Sequence, residues 1–453
     1  MSTFSGLSTA YSGLVASRTG IEVAGQNIAN AKTAGYTRQR VSQEATAPLS
    51  ATGRISTRLA AAGQGVSVTG IDRLGDALLD ARVRTTFGSA GYANMRAGSL
   101  SNLEKSLNEP SSTGLAAQLG DFWSSWQDLA NNAGKAAAGA VVIEESGVLV
   151  SQIAAGYKAV AAEWDSVRSS AEAQTTELNF AATQVAELNV IIRDTLNRGG
   201  SVNELLDQRN QYTTAIASLA GGTVNERPDA TVDVVIGGNV LVSGDTANPV
   251  VLTGGSAVDG PGVKLEWAKN PGRPVALSSG ELAGSLSLLG AAAGGTGGPL
   301  AEAAESFNTL ATRLAEKVNG AYAGGVSANP PNANAFFDIS GPPAAVNLTV
   351  IPKKSEDLTI AAPEGGALDV SIADDIAQLR QQKDSPDAVW STFVTTVAVA
   401  TKNSLQQSKL ADLAAGSASA AQLSNSSVDL DEENVNLLMN QTAYQASARV
   451  FTA

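Results

Sequence analysis

The densest cluster of side chains able to do chemistry is the string "DLDEEN", which holds Asp429, Asp431, Glu432 and Glu433. Paired carboxylates can work as acid and base, or hold Ca²⁺ through their oxygens. The spacing does not match an EF-hand loop, and the string stands where a helix begins. Acidic side chains there complement the positive end of the helix dipole, so capping is the reading the position favours. Asp207 and Arg209 in "NELLDQRN" form a second polar pair, open either to a site or to polar packing within a helical bundle. The glycine-rich pieces "GGTGGP" and "AGGTV" lack the Lys-Ser/Thr that a phosphate-cradling loop needs. "GQGVSVTG" does not sit at a strand-to-helix turn with a later acidic partner, so dinucleotide binding is unsupported. A last cluster lies in "GQNIANAKTAGYTRQRV", where Asn27, Asn30, Ala34, Gly35 and Tyr36 crowd together. It could be a ligand loop, a helix cap, or a joint between two parts of an assembly.

Composition narrows the chemistry further. The 453 residues contain no histidine and no cysteine. The commonest general base, the commonest metal ligand, thiolate nucleophiles and disulfides are therefore all missing. Carboxylates, Lys and Ser remain, but no catalytic constellation assembles from them, so neither enzyme activity nor a cofactor or metal is expected. A formal charge of −13 argues against nucleic acid as a partner and against attraction to anionic membranes. The N-terminus has neither the basic segment nor the unbroken apolar run of a cleaved signal peptide. No stretch approaches the roughly 18 apolar residues of a membrane span. With 43% hydrophobic but only 5% aromatic residues, closely packed thin helices suit the chain better than a broad aromatic core.

The elements that would carry these residues are mostly helical. Phe4, Leu7, Tyr11, Leu14, Arg18, Ile21, Gly25 and Ile28 follow alternating steps of three and four, a heptad seam that must lie against a partner helix. That partner could belong to the same domain or to another copy. Residues 46–75 read as extended or looped, with strand-like pieces in "GRISTRLAAAGQGVSVTGIDR". From about Asp76 the pattern is helical again: "LDARVRTTF" is one segment, Leu100, Leu103 and Leu107 lie on a second, and Pro110 stops it. Leu115, Leu119, Phe122, Trp126 and Leu129 resume the spacing. From Val150 to Thr195 the three/four alternation never slips, and no proline interrupts from Ala136 to Arg198, which predicts one helix of ~60 residues, ~90 Å long. Trp123, Trp126 and Trp164 fall on or beside such seams, where core packing is the default role. Ser201 and Glu204 have the spacing of a capping box for the next helix. "TVDVVIGGNVLVSG" is a β-hairpin signature, and further strands are expected to about Ser279. The last 70 residues are mostly helical, with Leu430, Leu437, Tyr444 and Phe451 seven apart in a second stripe. The economical explanation is that the two termini pair with each other or with neighbouring copies.

The ends also carry a family pattern. Asn27, Ile28, Ala29, Asn30, Thr33, Gly35 and Tyr36 resemble the Asn-Ile-Ala-Asn-x-x-Thr-x-Gly-Tyr signature of bacterial flagellar rod, hook and hook-associated proteins. "SSVDLDEENVNLLMNQTAYQASARVFTA" is similar to the C-terminal partner segment, with Asp431, Glu432, Glu433, Gln441, Gln445, Ala446 and Arg449 at its matching positions. The long helical middle and "NELLDQRN" are similar to the hook-associated branch rather than to hook subunits, which are β-rich there. A hook or rod subunit is the alternative within the family, and an adhesin or enzyme on a helical stalk the alternative outside it.

The resemblance implies a mainly α fold with a β-rich insert. It implies a terminal α-helical coiled coil (1–45 and 400–453), a long helical rod domain (46–220 and 280–399) and a small outer β domain (221–279). The implied role is structural and extracellular, at the junction of hook and filament, after type III export without a cleaved signal. The implied partners are further copies in a ring, the hook protein, a filament-side hook-associated protein, and an export chaperone on the C-terminal segment. Phe4, Leu7, Tyr11, Leu14, Ile21 and Ile28 would be one assembly face, and Leu430, Leu437, Tyr444 and Phe451 the other. Asn27, Asn30, Thr33, Gly35 and Tyr36 would form a hinge that ends the first helix at Ile28. The chain stops soon after "ARVFTA", where members of the family continue, so a shortened C-terminus is expected.

Overall fold

The computed structural model describes residues 3–46, 63–327, 335–366 and 368–452. The chain divides into two compact units. One comprises residues 1–88, 178–249 and 412–453, and the other 89–177 and 250–411. The fold is mostly helical with small antiparallel sheets. The strand-like piece anticipated around residues 53–62, and the side chains of Phe4 and Phe451, lie outside the described residues.

The first unit is built around its terminal helices. Helix α1 (Thr3–Asn30) leads through a turn into strand β1 (Gln39–Ala45), which pairs antiparallel with β2 (Val66–Arg73). Sequence reading missed β1, because "QRVSQEA" has neither alternation nor β-branched enrichment. Helix α2 (Ala77–Leu107) is continuous, where two segments were expected, since nothing between Phe87 and Leu100 breaks it. It ends before Pro110, as anticipated. Helix α4 (Ala136–Asn197) is a single element of 62 residues that ends before Gly199 and Gly200. Within the first unit its predicted stripe is buried at Leu178, Ala181, Val185, Leu188 and Ile192. Leu188, Ile192 and Val202 form a cluster with Leu205, Leu206 and Tyr212.

Helix α5 (Asn203–Ala220) corrects the expected capping box. Its N-cap is Val202 with no side-chain cap, and Ser201 lies outside it. The strands β3 (Thr223–Glu226), β4 (Val232–Ile236), β5 (Asn239–Ser243) and β6 (Thr246–Ala247) form one antiparallel sheet in chain order. The β4–β5 hairpin turns at Gly237 (φ 52°) and Gly238 (φ 76°), the left-handed pair that a two-residue turn requires. Helix α11 (Leu430–Thr452) follows the end of helix α10 (Pro386–Ser426) and packs against α1.

The second unit concentrates the scarce aromatics. Helix α3 (Leu115–Asn131) buries Leu115, Leu119, Phe122, Trp123, Trp126 and Leu129. Trp126 stacks edge-on to Phe336 at 5.1 Å, and Phe336 meets Tyr322 of helix α7 (Pro299–Tyr322) at 5.5 Å. Phe307 and Trp390 pair at 5.2 Å. On α4, Ile153, Tyr157, Val160, Trp164, Val167 and Ala171 are buried in the predicted register. Gly156 sits where any Cβ would collide with the Phe307 ring, so α4 and α7 approach closely there. The second sheet, β7 (Val250–Thr253), β8 (Lys264–Trp267) and β9 (Asn270–Pro274), belongs to this unit. The strand-rich stretch 221–279 thus forms two sheets, one in each unit. "GGTGGP" is a loop clasped by Glu302, whose carboxylate accepts the amides of Ala293 (2.6 Å), Gly295 (2.8 Å) and Gly297 (2.9 Å). Among the described residues, α4 is the one helix long and apolar enough to cross a membrane by length and composition, contrary to the reading that none approaches this. One apolar stripe of α4 is buried, while Val141, Val148, Phe180, Ile191 and Leu196 are exposed.

Candidate assembly joint between the terminal helices

Helices α1 and α11 run antiparallel and meet at three points spaced by sevens on both. Gly13 faces Ser447, Gly20 faces Asn440, and Asn27 bonds Glu433. These are not the predicted apolar stripes. On α1 the contact positions precede Leu14, Ile21 and Ile28 by one residue, and on α11 they follow Leu430, Leu437 and Tyr444 by three. Small side chains let the backbones come close: Ala10, Ala16, Ser17, Gly20, Val23, Ala24 and Asn27 are the buried positions among the described side chains of α1. The apolar stripes stay largely outside. Leu7 is 40% exposed, Tyr11 59%, Leu430 44% and Tyr444 37%, while Leu14, Ile21, Ile28 and Leu437 are half-buried. Val435, Leu438, Met439 and Val450 are also exposed on α11.

At the end of α1 the family motif forms a polar knot. Asn27 is 1% exposed and uses its whole amide. Its Nδ2 donates to the Gln39 carbonyl (2.9 Å) and to Glu433 Oε2 (3.1 Å). Its Oδ1 accepts from the Tyr36 hydroxyl (2.9 Å) and the Gln39 amide (3.0 Å). Asn30, the last residue of α1, donates to the Gln26 carbonyl (3.0 Å) and accepts the Thr33 hydroxyl (3.2 Å), so the helix runs two residues beyond the expected stop at Ile28. Gly35, at φ 76°, lets the turn pass against Gln211, whose amide donates to the Ala34 carbonyl (2.9 Å). Burial, with Glu204, Asp207 and Glu433 nearby, pushes the Tyr36 phenol up to about 12.

Two ion-pair groups hold the chain that leaves the turn. Arg38 donates Nε to Glu433 (2.7 Å) and pairs with Glu432 (2.9 Å), and the bond to Glu432 leads in holding its guanidinium above the usual range. Thr37 donates its amide to Asp207 (2.9 Å), and Arg73 pairs with the other oxygen of that carboxylate (2.5 Å). Gln39 reaches Glu204 (2.9 Å), and Asn203 donates to the Ile71 carbonyl (2.8 Å). Burial leads in lowering Arg209, which donates to Asn189 (3.0 Å) and to the Ala230 carbonyl (2.7 Å). "NELLDQRN" is thus a buried polar face that grips the start of the chain.

"DLDEEN" divides its work. Asp429 accepts the amides of Asp431 (2.9 Å) and Glu432 (3.3 Å), a side-chain cap on α11. Glu432 and Glu433 serve Arg38 and Asn27. Asp431, Gln441, Gln445, Ala446 and Arg449 are exposed along α11 and are not drawn into the knot. Among the described residues no group of three acidic side chains could hold a metal. Sequence reading missed Arg38, Gln39 and Arg73 as partners. The available signal was Asn203, Asp207 and Asn210 at i, i+4 and i+7, a polar stripe along one face of the helix whose first two members are buried.

The profile for the flagellar hook-associated protein FlgK helical domain matches residues 100–337. The chain is 28% identical over 499 aligned positions to flagellar hook-associated protein 1 of Bacillus subtilis, covering 100% of this chain and 96% of that protein. It is 29% identical to the Escherichia coli protein of that name over 79% of this chain, and spans 63% of the relative's length. The structure of the flagellar hook junction protein FlgK from Burkholderia pseudomallei superposes with a TM-score of 0.61 at 14% identity, covering 76% of this chain and 99% of that one, which speaks to the fold. The profile spans more than half of the sequence: the chain belongs to the flagellar hook-associated protein FlgK family.

Proposed function

We propose that this chain is the structural subunit that assembles at the distal end of the flagellar hook and joins it to the filament. It is a component of the bacterial flagellum, outside the cell, and works by making contacts rather than by catalysis. The observation that carries this reading is the alignment with the Bacillus subtilis protein along the whole chain, both terminal segments included. The exposed apolar stripes of α1 and α11 support it physically, because a monomer gains nothing from leaving them in water.

The finer assignments follow the same logic. Copies of the chain associate in a ring, with the hook protein on one side and a filament-side hook-associated protein on the other. Segments 1–45 and 400–453 form an inner coiled-coil layer, 46–220 and 280–399 a helical rod layer, and the strands of 221–279 face outward. Phe4, Leu7, Tyr11, Leu14, Ile21 and Ile28 face neighbouring subunits, as do Leu430, Leu437, Tyr444 and Phe451. The chain leaves the cell through the type III apparatus without a cleaved signal, with a chaperone covering its C-terminal segment beforehand.

Binding to isolated hooks tests this. The purified chain should decorate hook ends in electron micrographs, and Leu7→Asp/Tyr11→Asp should abolish decoration while preserving the helical circular dichroism spectrum. Decoration along the hook sides, or none by the unaltered chain, would contradict the reading.

A further inference from the structure

The contact face of the terminal pair repeats with a period that leaves its alignment open. On α1 the positions are Gly6, Gly13, Gly20 and Asn27, seven apart; on α11 they are Glu433, Asn440 and Ser447, also seven apart. In the observed alignment Gly13 meets Ser447, Gly20 meets Asn440 and Asn27 meets Glu433. Moving α11 by one heptad, about 10.5 Å, would place Ser447, Asn440 and Glu433 against Gly6, Gly13 and Gly20. Each of these glycines lacks the Cβ that would object, and Gly6 has open space beside it. The small face therefore does not choose between the two alignments.

What differs is the polar end. Only in the observed alignment does the Glu433 carboxylate, in a residue 2% exposed, reach both Asn27 Nδ2 (3.1 Å) and Arg38 Nε (2.7 Å). One heptad away it would face Gly20, out of reach of both Asn27 Nδ2 and Arg38 Nε. Asn27 would lose one of its amide partners, and Arg38 both of its carboxylates, since Glu432 moves with Glu433. Leaving a buried carboxylate without its hydrogen bonds is heavily penalised. The connection between α10 and α11, Ser427 to Asp429, is three residues long, so such a shift needs only the last turn of α10 to unwind.

We infer that the Asn27–Glu433–Arg38 cluster is a register latch: it selects one of two heptad-related alignments of the terminal helices, and Glu433 is its specificity-determining residue. The latch acts within a single chain, independently of the hook and filament. It also determines which side chains of α11 stand beside the exposed stripe of α1, and so which composite surface a partner meets.

Because the chain has no cysteine, introduced pairs report alignment directly. A disulfide needs Cα atoms within about 7 Å, well short of a heptad step. In the full-length chain, Gly13→Cys/Ser447→Cys should cross-link efficiently and Gly6→Cys/Ser447→Cys hardly at all. Adding Glu433→Leu should lower the first several-fold and make the second the major product. Glu433→Gln, which keeps the volume, should shift the ratio in the same direction by less. Val435→Ala, on the exposed side of α11, should leave both yields unchanged. If Glu433→Leu preserves the Gly13 cross-link, the latch is refuted. If both cross-links vanish with either Glu433 variant, Glu433 merely holds the pair together, and the inference also fails.

Discussion

Asn27 and Glu433 stand 406 positions apart in sequence, yet their side chains bond at 3.1 Å with both residues almost fully buried. That contact ties the end of α1 to the start of α11. The same asparagine carries the Tyr36 hydroxyl and both backbone groups of Gln39. One side chain thus joins the two ends of the chain to the turn between them.

Replacing Asn27 with alanine should destabilise the first unit by roughly 2–4 kcal/mol, because several buried polar partners would be orphaned together. Urea unfolding followed by circular dichroism would measure it. A loss below about 0.5 kcal/mol would mean that water replaces the amide at little cost.

Tyr36→Phe should cost about 1 kcal/mol at neutral pH, one hydrogen bond. It should also change the alkaline limb of stability. The folded phenol titrates at about 12, above its ordinary 10.0, so the folded chain holds that proton more tightly than the unfolded one. The resulting stability is fully present below pH 10 and fades as pH rises towards 12. The unaltered chain should therefore lose more stability than Tyr36→Phe between pH 10 and 12; parallel curves would contradict this.

Glu302→Gln should loosen the loop before α7. Desolvation pushes the Glu302 carboxyl upward, but the amides of Ala293, Gly297 and Gly295 together outweigh it and hold it below its ordinary 4.5. Its contribution is present above pH 4.5 and is lost as pH falls through the depressed value. The difference in melting temperature between the two proteins should thus be largest at neutral pH and shrink in acid. A gap that widens in acid would contradict the clasp.

Gly156→Ala should destabilise the second unit by about 1–3 kcal/mol through collision with the Phe307 ring, despite alanine's better helix propensity. Thermal unfolding measures it. A stabilised variant would show that Phe307 can swing away.

These cases show where the sequence was legible. Helix α4 was readable almost to its ends, because its three/four alternation continues without proline and stops at paired glycines. The β4–β5 hairpin was readable from Gly237 and Gly238. Periodicity also marked Leu7, Tyr11 and Leu14 as a stripe, but it cannot say what covers them. The intramolecular seam lies one residue away, on glycine, alanine and serine, which carry no hydrophobic signal. The partners of Asn27, Arg38 and Asp207 were hidden for a different reason: they come from remote stretches, and a polar residue shows in sequence only its own chemistry. Ser201 illustrates the opposite error, a local capping motif overridden when Glu204 turns to Gln39.

The most direct test of the account is electron microscopy of flagella in cells lacking this chain. Hooks of normal length with bare ends and no attached filament are predicted, with filaments restored by the unaltered chain but not by Leu7→Asp/Tyr11→Asp. Filaments firmly joined to hooks in the absence of the chain would contradict its role as the junction.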